Sequence, residues 1–265
     1  MNSTSTEFVL LDVRLESDFA VGHAPSAANI PLEELATSSH ELPPASAPIR
    51  VTDADPDRAR AASEILTRRG HRVEVIPLAS LDASITGPAT IRLWSANAFL
   101  VEALAHIQLP SDPHALDVAC GSGRDAVWLA LQGMRVDAID HLPDALAKAT
   151  ALARRNRVAI NPIQKDIEAD PTLPTGYDLV CVFRYLHRPL WPALQRALNP
   201  GGYIVCETFH ARTRETGGRP SSPDHLLQTG ELSAAFADFE ILMARDAVER
   251  DGRYFSSLLA RKKVV

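Results

Sequence analysis

Two hydrophobic rhythms alternate along this chain. Short apolar runs rich in β-branched residues are separated by stretches in which apolar residues recur at three- and four-residue spacing. That alternation predicts strands interleaved with helices, and hence α/β units with parallel sheets. A first series places strands at 8–13, 28–30, 49–52 and 72–76, a short helix at 15–19 and an amphipathic helix at 57–69. Ala61, Ile65 and Leu66 are expected on the apolar face of that helix, and Gly70 ends it. Residues 83–91 carry turn and breaker residues and read as a link. A helix is expected at 94–107, with Pro110 and Pro113 stopping it.

A second series then begins. Strands are predicted at 115–119, 135–139, 160–165, 178–183, 202–209, 239–248 and 254–261, with helices at 124–132, 143–155 and 190–198. Only a short turn containing Asp251-Gly252 separates the last two strands, so the mostly parallel sheet should end in an antiparallel pair. The expected organisation is a small α/β domain at 1–82, a linker and lead-in helix at 83–110, and a larger α/β domain at 111–265.

Composition narrows the function classes. The net charge is −6, with 46% apolar and 23% charged residues, which is ordinary for a soluble globular protein. Residues 1–90 hold 13 acidic and 7 basic side chains, and residues 91–265 hold 20 of each. Neither part has the basic excess of a nucleic-acid binder. No apolar run is long enough to span a bilayer, and Met1–Thr6 lacks the pattern of a secretory signal, so a cytoplasmic protein is expected. Cys120, Cys181 and Cys206 each lie in an apolar run, none at metal-ligand spacing; they read as buried thiols, and no metal is called for.

The chemistry concentrates in Leu116-Asp117-Val118-Ala119-Cys120-Gly121-Ser122-Gly123-Arg124-Asp125. A strand runs into a glycine-rich turn and a helix follows. Glycines let the backbone approach a ligand, and the helix start offers unpaired N–H groups. Gly121-x-Gly123-x-x-Ala126, with Asp140 seventeen residues past Gly123, also suits a dinucleotide site. Three neighbours separate the readings. Asp117 would repel a pyrophosphate but attract a ligand bearing an amino group and a sulfonium. Asp166 and Ile167 follow the third strand, where an acid and an aliphatic chain suit an adenine. Asn199-Pro200-Gly201-Gly202 precedes the fifth strand.

In order and spacing, residues 115–209 resemble the core of class I S-adenosylmethionine-dependent methyltransferases. The stretch 116–140 is most similar to the tellurite-resistance branch of that family. The resemblance implies a Rossmann-like sheet with S-adenosylmethionine as cofactor. Asp117 would meet the methionine amino group, and Gly121, Ser122 and Gly123 would wrap the amino-acid portion. Asp140 would accept from the ribose hydroxyls, and Asp166 and Ile167 would frame the adenine. Phe183, closing the fourth strand, joins the cofactor set.

Methyl transfer is an in-line displacement, so alignment and exclusion of water can supply most of the acceleration. The acceptor is expected at the C-terminal ends of the strands, near Arg184, Tyr185 and His187, with Glu207 and His210 closing the next strand. His187 is the candidate base because imidazole titrates near neutrality. Residues 211–227 are either a substrate lid or a loop of no catalytic role. The expected acceptor is a small molecule, a thiol or related chalcogen compound. The alternatives are a protein or RNA docked through the first domain, or a non-catalytic cofactor-binding regulator.

The N-terminal stretch Leu10-Leu11-Asp12-Val13-Arg14-x-Glu16-x-Asp18-Phe19-x-x-Gly22-His23-Ala24-Pro25 resembles the opening of a rhodanese domain. The sulfur-carrying cysteine of that family would fall at about Asp53. The domain contains no cysteine, and Asp cannot hold a persulfide, so sulfur transfer is not expected. Docking of a protein partner and a regulatory site reusing the acidic loop both remain open.

Overall fold

The computed structural model describes residues 8–264 and divides between Trp94 and Ser95 into two units. The Met1–Thr6 segment read for a secretory signal lies outside the described residues. No helix among the described residues is long and apolar enough to cross a membrane.

In the first unit, β1 (Val9–Asp12), β2 (Ala27–Asn29), β3 (Ile49–Thr52) and β4 (Val73–Val75) form a parallel sheet in the order β2-β1-β3-β4. Helices α1 (Glu16–Val21), α2 (Leu32–Leu35) and α3 (Pro56–Arg68) connect them. Pro56 opens α3 with its φ already helical, and the Asp55 carboxylate caps it by accepting the Asp57 N–H at 2.8 Å. The buried stripe of α3 is Ala59, Ala62 and Leu66, at i, i+3 and i+7, packed on Leu11, Ile49 and Val51. Ile65 sits at its margin and Ala61 is only half-buried, which corrects the expected face. At four residues, α2 is too short to show a helical period.

The second unit opens with α4 (Ala98–Leu104), shorter than the predicted helix. The Asn97 side chain accepts the N–H groups of Phe99 (2.8 Å) and Leu100 (3.4 Å), so the helix starts there rather than at Trp94. The chain then builds β5 (His114–Val118), α5 (Arg124–Leu131), β6 (Arg135–Asp140), α6 (Pro143–Arg155), β7 (Asn161–Gln164), β8 (Tyr177–Phe183), α7 (Trp191–Ala197), β9 (Leu198–Phe209), α8 (Arg212–Glu215), α9 (Glu231–Ala235), β10 (Glu240–Arg250) and β11 (Arg253–Arg261). The sheet order is β10-β11-β9-β8-β5-β6-β7. Strands β7, β6, β5, β8 and β9 are parallel, and β11 runs against both of its neighbours.

Strands β5, β8 and β9 are nearly continuous apolar runs because both faces are covered. One core gathers Leu116, Val180, Ile204 and Leu258, and the other gathers Ala115, Leu179, Val205 and Leu259. The β10–β11 turn is Asp251-Gly252, with φ of 52° and 74°, the tight two-residue hairpin that the dipeptide predicts. The chain winds outward from β5 to β7 and then crosses back to β8. The break between β5 and β8 is the switch point at which sheets of this kind open a ligand crevice.

Candidate functional site

Buried β5 ends in Asp117-Val118, and the backbone then turns sharply through residues in the left-handed region: Ala119 (φ 58°), Gly121 (φ 54°) and Gly123 (φ 77°). Gly123 is demanded by packing as well. A Cβ there would lie 2.5 Å from the Ala149 Cβ and 2.9 Å from its Cα on α6. Gly121 differs, since no atom lies within 4 Å of where its Cβ would stand. One face of the turn is therefore locked against the fold and another is open to a ligand.

Beneath the turn, Asp117 is 2% exposed, and its Oδ2 has no hydrogen-bond partner among the described residues. The Cys181 thiol lies 3.8 Å from the other oxygen. Burial, together with the charge of nearby Asp125, pushes the Asp117 pKa well above the carboxylate range. Burial also raises that of Asp125, whose Oδ1 accepts the Asn97 N–H at 2.6 Å. An open buried carboxylate beside a bare glycine face fits a cationic amino group on an amino-acid ligand.

Asp140, at the end of β6, is fixed by two backbone donors. Its Oδ2 accepts from Gly121 N at 2.8 Å and its Oδ1 from Leu142 N at 3.0 Å. Each oxygen keeps a second lone pair, which suits a vicinal diol. The carboxylate borders a cavity of about 340 Å³ lined also by Ala119, His141, Leu142, Asp166, Ile167, Phe183, Arg184 and Tyr185. The size suits a nucleoside-sized ligand. Ile167 and Phe183 are its buried apolar lining. Asp166 is exposed and works first as a turn cap, with its Oδ1 accepting from Glu168 N and Ala169 N, each at 3.0 Å. Those bonds lower its pKa.

The structure thus joins Asp140, Asp166, Ile167, Phe183, Arg184 and Tyr185 on one cavity, with Gly121, Ser122 and Gly123 in the adjoining turn and Asp117 below. It does not gather the three acceptor-side residues in one place. Arg184, with φ of 56°, and Tyr185 line the large cavity, whereas His187 lines a much smaller neighbouring pocket with Tyr185, Trp191 and Glu207. Burial and the nearby Glu168 raise the Tyr185 pKa, so its phenol stays protonated. Glu207 is 3% exposed; it accepts from Asn97 Nδ2 at 3.0 Å and is ion-paired with Arg250. His210 lines neither of these two pockets. Its Nε2 faces Thr229 Oγ1 at 3.2 Å and its Nδ1 accepts Arg212 N–H at 3.1 Å, so it ties down the segment after β9.

Sequence reasoning missed Asn97, Asp125 and Arg250. Asn97 carries a readable signal, a capping residue before an apolar run. An acid in a helix first turn, such as Asp125, is too common to mark a site.

Residues 115–202 match the methyltransferase-domain family, and residues 2–79 match the rhodanese-like domain family. An uncharacterized protein of Schizosaccharomyces pombe is 24% identical, over 97% of this chain and 94% of its own length. A probable S-adenosyl-L-methionine-dependent methyltransferase, TehB of Haemophilus influenzae, is 27% identical over 56% of this chain, which spans 57% of that relative. The crystal structure of TehB from the same species superposes with a TM-score of 0.53 at 22% identity, covering 63% of each chain. The match to TehB agrees with the branch read from residues 116–140. This chain joins a rhodanese-like domain to a class I S-adenosylmethionine-dependent methyltransferase domain.

Proposed function

We propose that the second unit moves the methyl group of S-adenosylmethionine to a nucleophilic atom of a small molecule, a thiol or related chalcogen compound. The observation that carries this reading is the set of unfilled groups in and beneath one glycine turn beside the cavity. Asp117 Oδ2 has no partner, Gly121 presents a bare face, and Asp140 is held by two backbone N–H groups with acceptor capacity left over. When bound, the cofactor supplies an electrophilic methyl group on a sulfonium.

The protein's part is placement. Asp117 holds the amino group, Gly121 to Gly123 the amino-acid backbone, Asp140 the ribose, and Ile167 and Phe183 the adenine. Arg184 and Tyr185 wall the acceptor side of the same cavity. His187 takes a proton from an acceptor that arrives protonated. The near-neutral balance of residues 91–265 gives no general attraction for a polyanion, which favours a small acceptor over RNA. We assign the first unit a docking role toward a protein partner and no sulfur chemistry.

Calorimetric titration with S-adenosylmethionine and S-adenosylhomocysteine tests the reading. Both should bind; folded protein that binds neither refutes it. The His187→Ala variant should keep S-adenosylhomocysteine affinity and lose about a hundredfold in turnover on the true acceptor. Unchanged turnover would remove His187 from the reaction.

A further inference from the structure

The small pocket beside the large cavity differs from it in character. It is lined by the buried side chains of Leu186, Leu190, Leu194 and Leu232 and by half-buried Trp191. All five belong to one core of the second unit or pack against it, so the pocket is a notch in a close-packed apolar wall. Its volume is about 20 Å³, on a measure by which a single water needs roughly 10–15 Å³. That is room for a methyl or ethyl end. The carboxylate in the lining is already engaged. Glu207 Oε1 accepts from Asn97 Nδ2 at 3.0 Å, and Oε2 is paired with Arg250.

Tyr185 lines both spaces. Its hydroxyl lies 3.4 Å from Glu168 Oε1, and Glu168 lines the large cavity and not the notch. A ligand passing the Tyr185 ring therefore leaves polar surroundings for apolar ones. His187 also lines the notch, so an acceptor that gives its proton to His187 stands at this border.

The notch is clasped. Arg188 lies between His187 and the pair Leu190 and Trp191 in the chain, and Glu231 immediately precedes Leu232. A bidentate ion pair joins Arg188 to Glu231, with Nη2 and Oε2 at 3.1 Å, and Arg188 Nη2 also donates to Leu226 O at 2.9 Å. The two chain segments that supply Trp191 and Leu232 are thereby tied together. A packed apolar site held in this way selects by size, because overfilling it forces its walls apart.

We propose that this notch takes an apolar end of the methyl acceptor, which is a small thiol ending in a short unbranched alkyl group, and that Leu232 limits the length of that group. This deepens the methyl-transfer reading and rests on it.

Native protein would be assayed with S-adenosylmethionine and four thiols: ethanethiol, 1-propanethiol, 1-butanethiol and 2-mercaptoethanol. The last matches 1-propanethiol in size but ends in a hydroxyl. S-adenosylhomocysteine and the methyl thioether should appear in equal amounts. The value of kcat/KM should peak at ethanethiol or 1-propanethiol and be at least about tenfold lower for 1-butanethiol. That for 2-mercaptoethanol should fall about tenfold below that for 1-propanethiol. Leu232→Ala lengthens the notch and should make 1-butanethiol the best substrate, with S-adenosylhomocysteine affinity within about twofold of the native value. Glu231→Gln weakens the clasp and should raise 1-butanethiol at least about threefold relative to ethanethiol.

A rate that climbs steadily from ethanethiol to 1-butanethiol in native protein is what an unbounded apolar surface gives, and it overturns the proposal without recourse to a variant. So does 2-mercaptoethanol performing as well as 1-propanethiol. A length preference unchanged in both Leu232→Ala and Glu231→Gln overturns it as well. Native protein that binds no S-adenosylhomocysteine fails the methyl-transfer reading itself. Protein that binds it and methylates none of the four thiols fails the present inference and leaves the cofactor site standing.

Discussion

Two loops in this chain occupy equivalent places in their sheets and have opposite characters. Each follows an inner parallel strand and leads into a helix: β3 into α3 in the first unit, β5 into α5 in the second. After β3 the polar groups answer one another. Asp53 accepts from Asp55 N at 2.9 Å and from Arg58 Nε at 3.1 Å, Asp55 caps the helix, and Arg58 also reaches Glu33 at 2.7 Å. Among the described residues, the buried Thr52 hydroxyl beneath the loop lacks a partner. After β5 the reverse holds, with an acid left open, a glycine face left bare and Ala119 held in a strained conformation. Position in the fold makes a loop available for ligand binding. Hydrogen-bonding capacity left unfilled makes it a site, because an unpaired buried polar group is costly unless a ligand completes it.

Gly123 is the position at which a substitution should do the most harm. Gly123→Val brings a branched side chain into α6 at a left-handed residue and should cost about 3 kcal/mol or more, read as a lower urea midpoint for the second unit. Retention of native stability would mean that α6 can move away. Next comes Asp140→Ala, which strips acceptors from Gly121 and Leu142 as well as from the ligand. Affinity for S-adenosylhomocysteine should drop about a hundredfold, and a change under about threefold would leave the carboxylate as turn structure only.

On the other loop, Asp53→Ala should destabilise the protein by about 1 to 2 kcal/mol while leaving S-adenosylhomocysteine affinity untouched. A loss of affinity would show that the two loops communicate.

The smallest effect has the opposite sign. Folding raises the Asp117 pKa, so its contribution to stability is greatest at low pH, where the group is protonated in both states, and declines as pH rises. Without ligand, Asp117→Asn should therefore match the native protein at about pH 4 and exceed its stability increasingly toward about pH 7, while binding S-adenosylhomocysteine more weakly. A variant less stable than native protein across that range would assign Asp117 a structural role.

What can be read from sequence divides along the same lines. Asp117, Gly121, Gly123 and Asp140 fall within one strand-turn-helix-strand unit, so spacing alone brings them together, and Asp251-Gly252 specifies its own turn. Asn97, marked locally only as a helix cap, meets Asp125 and Glu207 across the fold, and Arg250 meets Glu207 from a distant hairpin that no local pattern ties to it. His210 shows the limit on the other side. It carries suitable chemistry in the right neighbourhood, but its side chain is held against its own loop.

The reversed strand at the edge of the sheet has an evolutionary consequence. Because β11 runs against its neighbours, the tight turn before it lies at the same end of the sheet as the glycine turn, yet among the described residues no hydrogen bond joins Arg250 or Arg253 on its two sides to Asp140. Exchanging the side chains at that tip, or lengthening it by a few residues, would leave the two backbone hydrogen bonds that hold Asp140 as they are. Such a partition lets a lineage vary one hairpin freely while the glycine turn and its carboxylate are kept out of the experiment.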